Sequence, residues 1–219
     1  MTILQALLSF SVVAMLLTIL PGIDSSLVLR QALVRGRGTA IATGIGICLG
    51  SFVWGVAAAV GAAALLAASE FAYRMVTWLG AAYMIVLGGT LLWKAIFSKR
   101  HGAEAQAASA DALPSTVPAS PWRAGLVGLA SNLANPKVGV FYVATIPQFI
   151  PHGASPVLMG LALAAVHAIL TVVWFGILIV LATYASRWLR RPKTIRAIDG
   201  VTGTVLVGFG AKLIASPTA

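Results

Sequence analysis

Six long apolar runs, each bounded by charged or turn-forming residues, follow one another along the chain: about Ile3 to Leu29, Thr39 to Ala68, Phe71 to Ile96, Trp122 to Ile150, Pro156 to Ser186 and Ile195 to Ile214. Within them apolar residues are continuous and do not alternate with a period of two, which selects α-helices over barrel strands. A helix needs roughly 20 apolar residues to cross roughly 30 Å of hydrocarbon, so the pattern predicts an all-α integral membrane protein with six transmembrane helices. Runs longer than that leave room for tilt or breakage. The first charge in the chain is Asp24, so the first run lacks the basic start of a cleaved signal peptide and is read as a retained span.

The stretch from Ser98 to Pro121 breaks the pattern. It is rich in Ala, Ser and Pro, contains Glu104 and Asp111, and has no apolar period, the composition of a flexible linker. The chain thus divides into residues 1–97, a cytoplasmic linker at 98–121, and residues 122–219, with three spans on each side of the linker. Three is odd, so equivalent halves must lie in the membrane with opposite orientation. The halves also carry matching punctuation, Pro21-Gly22 late in the first span and Asn135-Pro136 inside the fourth, about 115 positions apart. This is the pattern of two inverted three-helix repeats whose first and fourth spans are broken near mid-membrane.

Composition then removes the soluble alternatives. Of 219 residues, 59% are hydrophobic and 9% charged, against about 25% charged in a soluble domain, and the mean hydropathy is +0.96. Fifteen Lys and Arg against five Asp and Glu give a net charge of +10, which in a soluble chain would suggest nucleic acid. Here the cations are sorted by connection. Arg30, Arg35 and Arg37 lie in the first, Lys94, Lys99, Arg100 and Arg123 flank the third, and Arg187, Arg190, Arg191, Lys193 and Arg196 fill the fifth. The second has Arg74 beside Glu70, and the fourth only His152. The odd connections therefore belong in the cytoplasm and both termini outside. Trp93, Trp122 and Trp188 fall on the cytoplasmic side too. Basicity is explained as topology and contact with anionic membrane lipid, with no nucleic-acid partner. The single cysteine, Cys48, excludes an intramolecular disulfide and a Cys-rich metal cluster.

Chemistry concentrates where the apolar background fails. Residues Thr18 to Ser26 interrupt the first span with Pro21, Gly22, Asp24 and two hydroxyls. Proline deletes a backbone donor and Gly22 frees the chain from helical angles, and in lipid the released carbonyls must find partners or line a wet cavity. Asp24 stands as the acid of the membrane interior, at a cost of about 2.5–3.5 kcal/mol unless it faces the bundle, pairs or takes up a proton. The bland reading is an interfacial acid capping a half-helix near Arg30. In the fourth span Asn135 is a favoured N-cap and Pro136 a favoured first helical residue, so a helix can restart there with its free N–H groups beside the Lys137 cation. Asp24 and Lys137 are the obvious partners, either as a permanent structural ion pair or as a pair that exchanges with an ionic substrate or a proton. Such a site suits a free amino acid, its carboxylate on helix N-termini and Lys137, its ammonium on Asp24 and unwound carbonyls.

Other polar residues are read more plainly. His167 is expected to be a hydrogen-bonded packing histidine, with a proton relay as the alternative. Gln148 after Pro147 either lines an outer vestibule or marks a helix end. Gly46 and Gly50 form GxxxG, for close helix packing within the chain, with a homodimer seam as the other use. Glu70 and Arg74 are expected to make a local pair, and Trp54 and Trp174 to be packing residues, with substrate stacking as the alternative. No HExxH, Walker loop or GxSxG occurs, so neither an enzyme, a cofactor nor a metal site is expected.

At these motifs the sequence resembles the LysE/RhtB family of bacterial lysine exporters and homoserine/threonine resistance proteins. The matching pieces are LTILPGIDSSLVLRQALVRGRGTAIATGIGICLG near the start and SNLANPKVGVFYVATIPQFIP in the second half. The resemblance implies a secondary transporter of the bacterial inner membrane that exports an amino acid or close derivative by proton antiport with alternating access. By motif matching it implies substrate-site roles for Pro21, Gly22, Asp24, Asn135, Pro136 and Lys137, with Asp24 coupling protons. One departure is Pro21-Gly22-Ile23-Asp24, where the family often has Pro-Gly-Pro-Asp. The alternatives are an exporter of another small solute such as a metal ion, or a non-transporting scaffold or sensor whose GxxxG face binds a partner.

Overall fold

The computed structural model describes residues 1–97, 118–189 and 191–215. The expected linker falls mainly on residues 98–117 and so lies outside the described residues, as do Lys99, Arg100 and Arg190. The described residues are mostly helical, with no strand among them.

The first apolar run is two helices, α1 Ile3–Ile19 and α2 Ile23–Val34, bent by 55° across Leu20 to Gly22. Thr2 and Gln5 cap α1 reciprocally. Gly22 caps α2 in an extended conformation without any side-chain acceptor. Gly36, at φ 93°, turns the chain into α3, Arg37–Ala68. Ser69 separates α3 from α4, Glu70–Phe97.

The second half opens with α5, Pro121–Leu133, with Pro121 in its first turn. Asn135 then caps α6, Pro136–Thr145, accepting from the Lys137 N–H at 3.2 Å, as the Asn-Pro motif requires. The fourth run does not continue to Ile150 as one helix. Pro147 cannot supply the donor an α-helix needs, and the chain tightens into a 3-10 turn over Ile146–Phe149. Gly153, at φ 79°, and the Ser155 cap lead into α7, Pro156–Val180. The fifth run is likewise divided, with Leu181 interrupting the chain before a short α8, Ala182–Leu189. Last comes α9, Pro192–Ala215.

Three helices, α3, α4 and α7, are each long and apolar enough to cross a bilayer, and α1 with α2 make a fourth if the bent pair is one span. The short pair α5 and α6, and α9 with Lys193, Arg196 and Asp199 near its start, do not meet that combination of length and apolarity. Large apolar side chains face outward all along these helices, Leu79 and Ile169 among them. On a soluble surface they would be a liability, and against lipid they are expected. The chain is a multi-pass membrane protein.

Small residues set the packing. α3 lies along α5 with Gly46 against the Gly125 carbonyl and Gly128 against the Thr43 carbonyl, and along α7 with Gly55 and Ala59 against Ala164 and Gly160. The GxxxG of α3 is thus buried inside the molecule, where Gly46 meets α5 and Gly50 meets Asn132. α4 lies along α9, and there Gly88 and Gly203 oppose each other, so that a Cβ on either would reach the other's carbonyl at 2.6–2.7 Å. Two apolar clusters result. One gathers Phe10, Phe141, Tyr142, Phe149 and Leu163, and the other Val28, Ile47, Trp174, Phe175 and Leu178.

Candidate functional site

Between these clusters, where the two helix breaks meet, lies a cavity of about 40 Å³. Its walls come from the end of α1, the start of α2, the middle of α3, the start of α6 and the middle of α7. Gly22, Asp24, Asn135 and Lys137 all line it, so four of the six expected site residues converge from positions more than 100 apart. Pro21 and Pro136 do not line it. They fix the breaks, and Pro136 faces a separate apolar groove beside Trp54 and Tyr83.

Asp24 sits in the first turn of α2, where the helix N-terminus favours a carboxylate. Asp24 stands six residues, about 9 Å of helix, before Arg30, and its side chain lines the buried cavity. One carboxylate oxygen accepts from the Asn132 amide at 2.9 Å, while the other has no hydrogen-bond partner in the protein. The same amide group also donates to the Ser51 hydroxyl at 3.2 Å. Asn132 is wholly buried and fits because position 50 is glycine, where a Cβ would stand 2.7 Å from its oxygen.

Lys137 is not bonded to Asp24. Its ammonium makes a long 3.5 Å contact with the Leu20 carbonyl and lies 3.5 Å from the place a Gly22 side chain would begin. The expectation of a direct Asp24–Lys137 pair is therefore corrected. The carboxylate is held by an amide, and the cation rests on the carbonyl exposed by the first break. Lys137 thus stands over the uncapped start of α2 and near the start of α6, where three sources of positive potential converge.

On the opposite wall His167 bonds Thr18 at 3.1 Å through Nε2 and Tyr142 at 2.6 Å through Nδ1. The Thr18 hydroxyl donates to the Ala14 carbonyl at 2.8 Å, so its oxygen is left to accept from an Nε2–H, and Nδ1 accepts from Tyr142. His167 is the hydrogen-bonded packing residue expected, and it ties α1 and α6 to α7. Gln148 is accounted for by a local bond, donating back to the Ala144 carbonyl at 2.5 Å. Arg74 and Glu70 pair at 2.7 Å. Trp54 packs over Gly139, and Trp174 is buried in the second cluster.

Asp24 is not the sole acid inside an apolar run. Asp199, in the sixth, is buried. Its place five residues into that run was the available signal, masked by Lys193 and Arg196 beside it. Asn132 and Ser51 were also missed as partners of Asp24, because only the folded packing of α3 on α5 brings them together.

A helical membrane bundle with two interrupted helices facing each other across a buried, charged cavity is the architecture of a solute translocator. The chain belongs to the LysE type translocator family, whose profile matches residues 15–216. It is 30% identical over 210 residues to the uncharacterized membrane protein YrhP of Bacillus subtilis, covering 95% of this chain and 98% of that one. It is 28% identical to the leucine efflux protein of Enterobacter sp. strain 638, covering 94% and 93%, and 28% identical to the threonine efflux protein of Escherichia coli K12, covering 97% and 99%. No solved structure is a significant match.

Proposed function

We propose that the protein is a secondary transporter that exports an amino acid or close derivative from the cytoplasm across the bacterial inner membrane, exchanging it for protons. The observation that carries this reading is the separation of charge in the cavity. Lys137 and the uncapped start of α2 offer a place for a carboxylate, while the unbonded oxygen of Asp24 offers one for an ammonium. That pairing is complementary to a zwitterion. A metal ion would meet one carboxylate and be repelled by the ammonium. The relatives named for leucine and threonine efflux support amino-acid cargo.

Six spans arranged as inverted three-helix repeats, 1–97 and 122–219 with 98–121 between them, suit this activity. Packing supports that arrangement. α3 lies on α7 and α4 on α9, each span on its counterpart, and α3 on α5 is matched by α7 on α1. Gly88 and Gly203 are 115 positions apart, the same spacing as Pro21 and Pro136. Alternating access follows if one half rocks against the other, with both termini outside. Asp24, released from Asn132 as substrate leaves, is the group that picks up the returning proton.

The alternative of a scaffold using its GxxxG face is disfavoured because Gly46 and Gly50 are already covered by α5. Counterflow of a radiolabelled amino-acid panel in proteoliposomes, with and without a pH gradient, tests the proposal. Asp24→Asn should insert normally and lose pH-driven movement, and Lys137→Ala should weaken substrate binding. No flux of any amino acid from the wild-type protein would overturn it.

A further inference from the structure

Along α3 and α7 the cavity lining passes from polar to apolar side chains, and the two helices do so in register. On α7 the lining residues are His167, Thr171 and Phe175, four apart and hence on one face. On α3 they are Ser51 and Ile47, again four apart. The helices run antiparallel, with Gly55 against Ala164 and Gly44 against Phe175, so Ser51 is level with His167, and Ile47 lies toward Phe175. Phe175 and Ile47 are both buried and share one apolar cluster. Phe175 therefore stands about 12 Å along α7 from His167. Its ring is backed by Gly44, where a Cβ would lie 3.2 Å from Cδ2, and Gly44 itself does not line the cavity.

We infer that Phe175, seated on Gly44, is the residue that sets side-chain specificity, and that the cargo is an amino acid with a small uncharged apolar side chain directed at the Ile47–Phe175 end. This rests on the amino-acid transport reading and extends it to substrate class. The cavity is too small for an amino acid, so the wall must yield on binding, and the Phe175 ring is the bulky group on that wall. The size of the ring fixes how long a side chain is accepted, and Gly44 fixes how far the ring retreats. Removing the ring lengthens the pocket. A methyl at position 44 presses the ring forward by a few tenths of an ångström and shortens it.

The test is competition in proteoliposome counterflow among alanine, valine, leucine, phenylalanine, threonine, lysine and glutamate for the wild type, Phe175→Ala, Phe175→Leu and Gly44→Ala. Phe175→Ala should raise the ratio of phenylalanine to alanine transport about tenfold, the scale on which hydrophobic pockets discriminate side-chain size. Phe175→Leu should move it less in the same direction, and Gly44→Ala should move it the other way. If Phe175→Ala fails to fold, Phe175→Leu and Gly44→Ala still give opposite signs. Wild-type flux with the same ratio in every folded variant would overturn the assignment of Phe175 while leaving transport intact. Preferential transport of a charged amino acid by the wild type would overturn the substrate class. Absence of wild-type flux for the whole panel would overturn the transport reading and this assignment with it.

Discussion

The Asn132 amide donates to the Asp24 carboxylate at 2.9 Å, and this one bond joins α5, which ends at the second helix break, to α2, which begins at the first. Buried carboxylates without a bonded partner are costly, and here the partner is neutral, so Asp24 is anchored without being locked to a counter-ion. Asn132→Ala should destabilise the protein by about 1–3 kcal/mol, the cost of leaving a buried group unpaired, and should reduce amino-acid counterflow. Gly50→Ala, which puts a Cβ 2.7 Å from the Asn132 oxygen, should produce the same defects by displacing the amide. Thermal unfolding in detergent together with counterflow reads both. Unchanged values in both variants would remove Asn132 from the positioning of Asp24.

His167 and its two neighbours make a second tie across the cavity. Thr18 gives its proton to the Ala14 carbonyl, which leaves its oxygen to accept from Nε2–H, and a Tyr142 hydroxyl donating to Nδ1 completes the neutral Nε2-protonated imidazole. Imidazole ¹⁵N spectra of the purified protein at neutral pH should show a protonated Nε2 and a bare Nδ1. Tyr142→Phe takes the donor from Nδ1 in a wholly buried place, and should cost about 1–3 kcal/mol in unfolding experiments. A spectrum with Nδ1 protonated would contradict the bonding described.

Neighbouring glycines on α4 separate packing from propensity. A Cβ on Gly88 meets the Gly203 carbonyl of α9 at 2.7 Å, whereas one on Gly89 meets nothing within 4 Å. Gly88→Ala should therefore lower stability by about 1–3 kcal/mol through overpacking. Gly89→Ala should be neutral or stabilising, since alanine is the better helix former by about 1 kcal/mol. Thermal unfolding of the two variants side by side decides it, and equal melting temperatures would mean that α4 and α9 are not in close contact.

The breaks were legible in the sequence because their causes are local. Pro21 with Gly22 stops a helix wherever it occurs, and Asn135 with Pro136 and Lys137 starts one. The interruption at Leu181 has no proline or glycine beside it, so the split of α7 from α8 could not be read from composition. Partners were harder still. Thr18 and His167 are 149 positions apart, and Asp24 and Asn132 are 108 apart, distances that only helix packing spans. Charge alone suggested an Asp24–Lys137 bond. The geometry of the breaks decided otherwise, since α5 ends with Asn132 turned toward α2 while the Leu20 carbonyl, freed by the break, lies closer to Lys137 than the carboxylate does.

Orientation rests on the distribution of Lys and Arg and can be tested with the chain's own scarcity of thiols. Cys48 is the sole cysteine and is half-buried within α3, so replacing it with serine leaves a silent background. Arg35, at the end of α2, and His152, after the 3-10 turn, are both exposed and lie on opposite sides of the bilayer in the arrangement proposed. In intact cells a membrane-impermeant maleimide should label His152→Cys from outside and leave Arg35→Cys untouched until the membrane is opened. The reverse pattern would invert the protein and make the same cavity face substrate with its polar end reversed. Equal labelling of both from outside would mean that an even number of spans, and not three, separates them, and the six-span arrangement would fall with it.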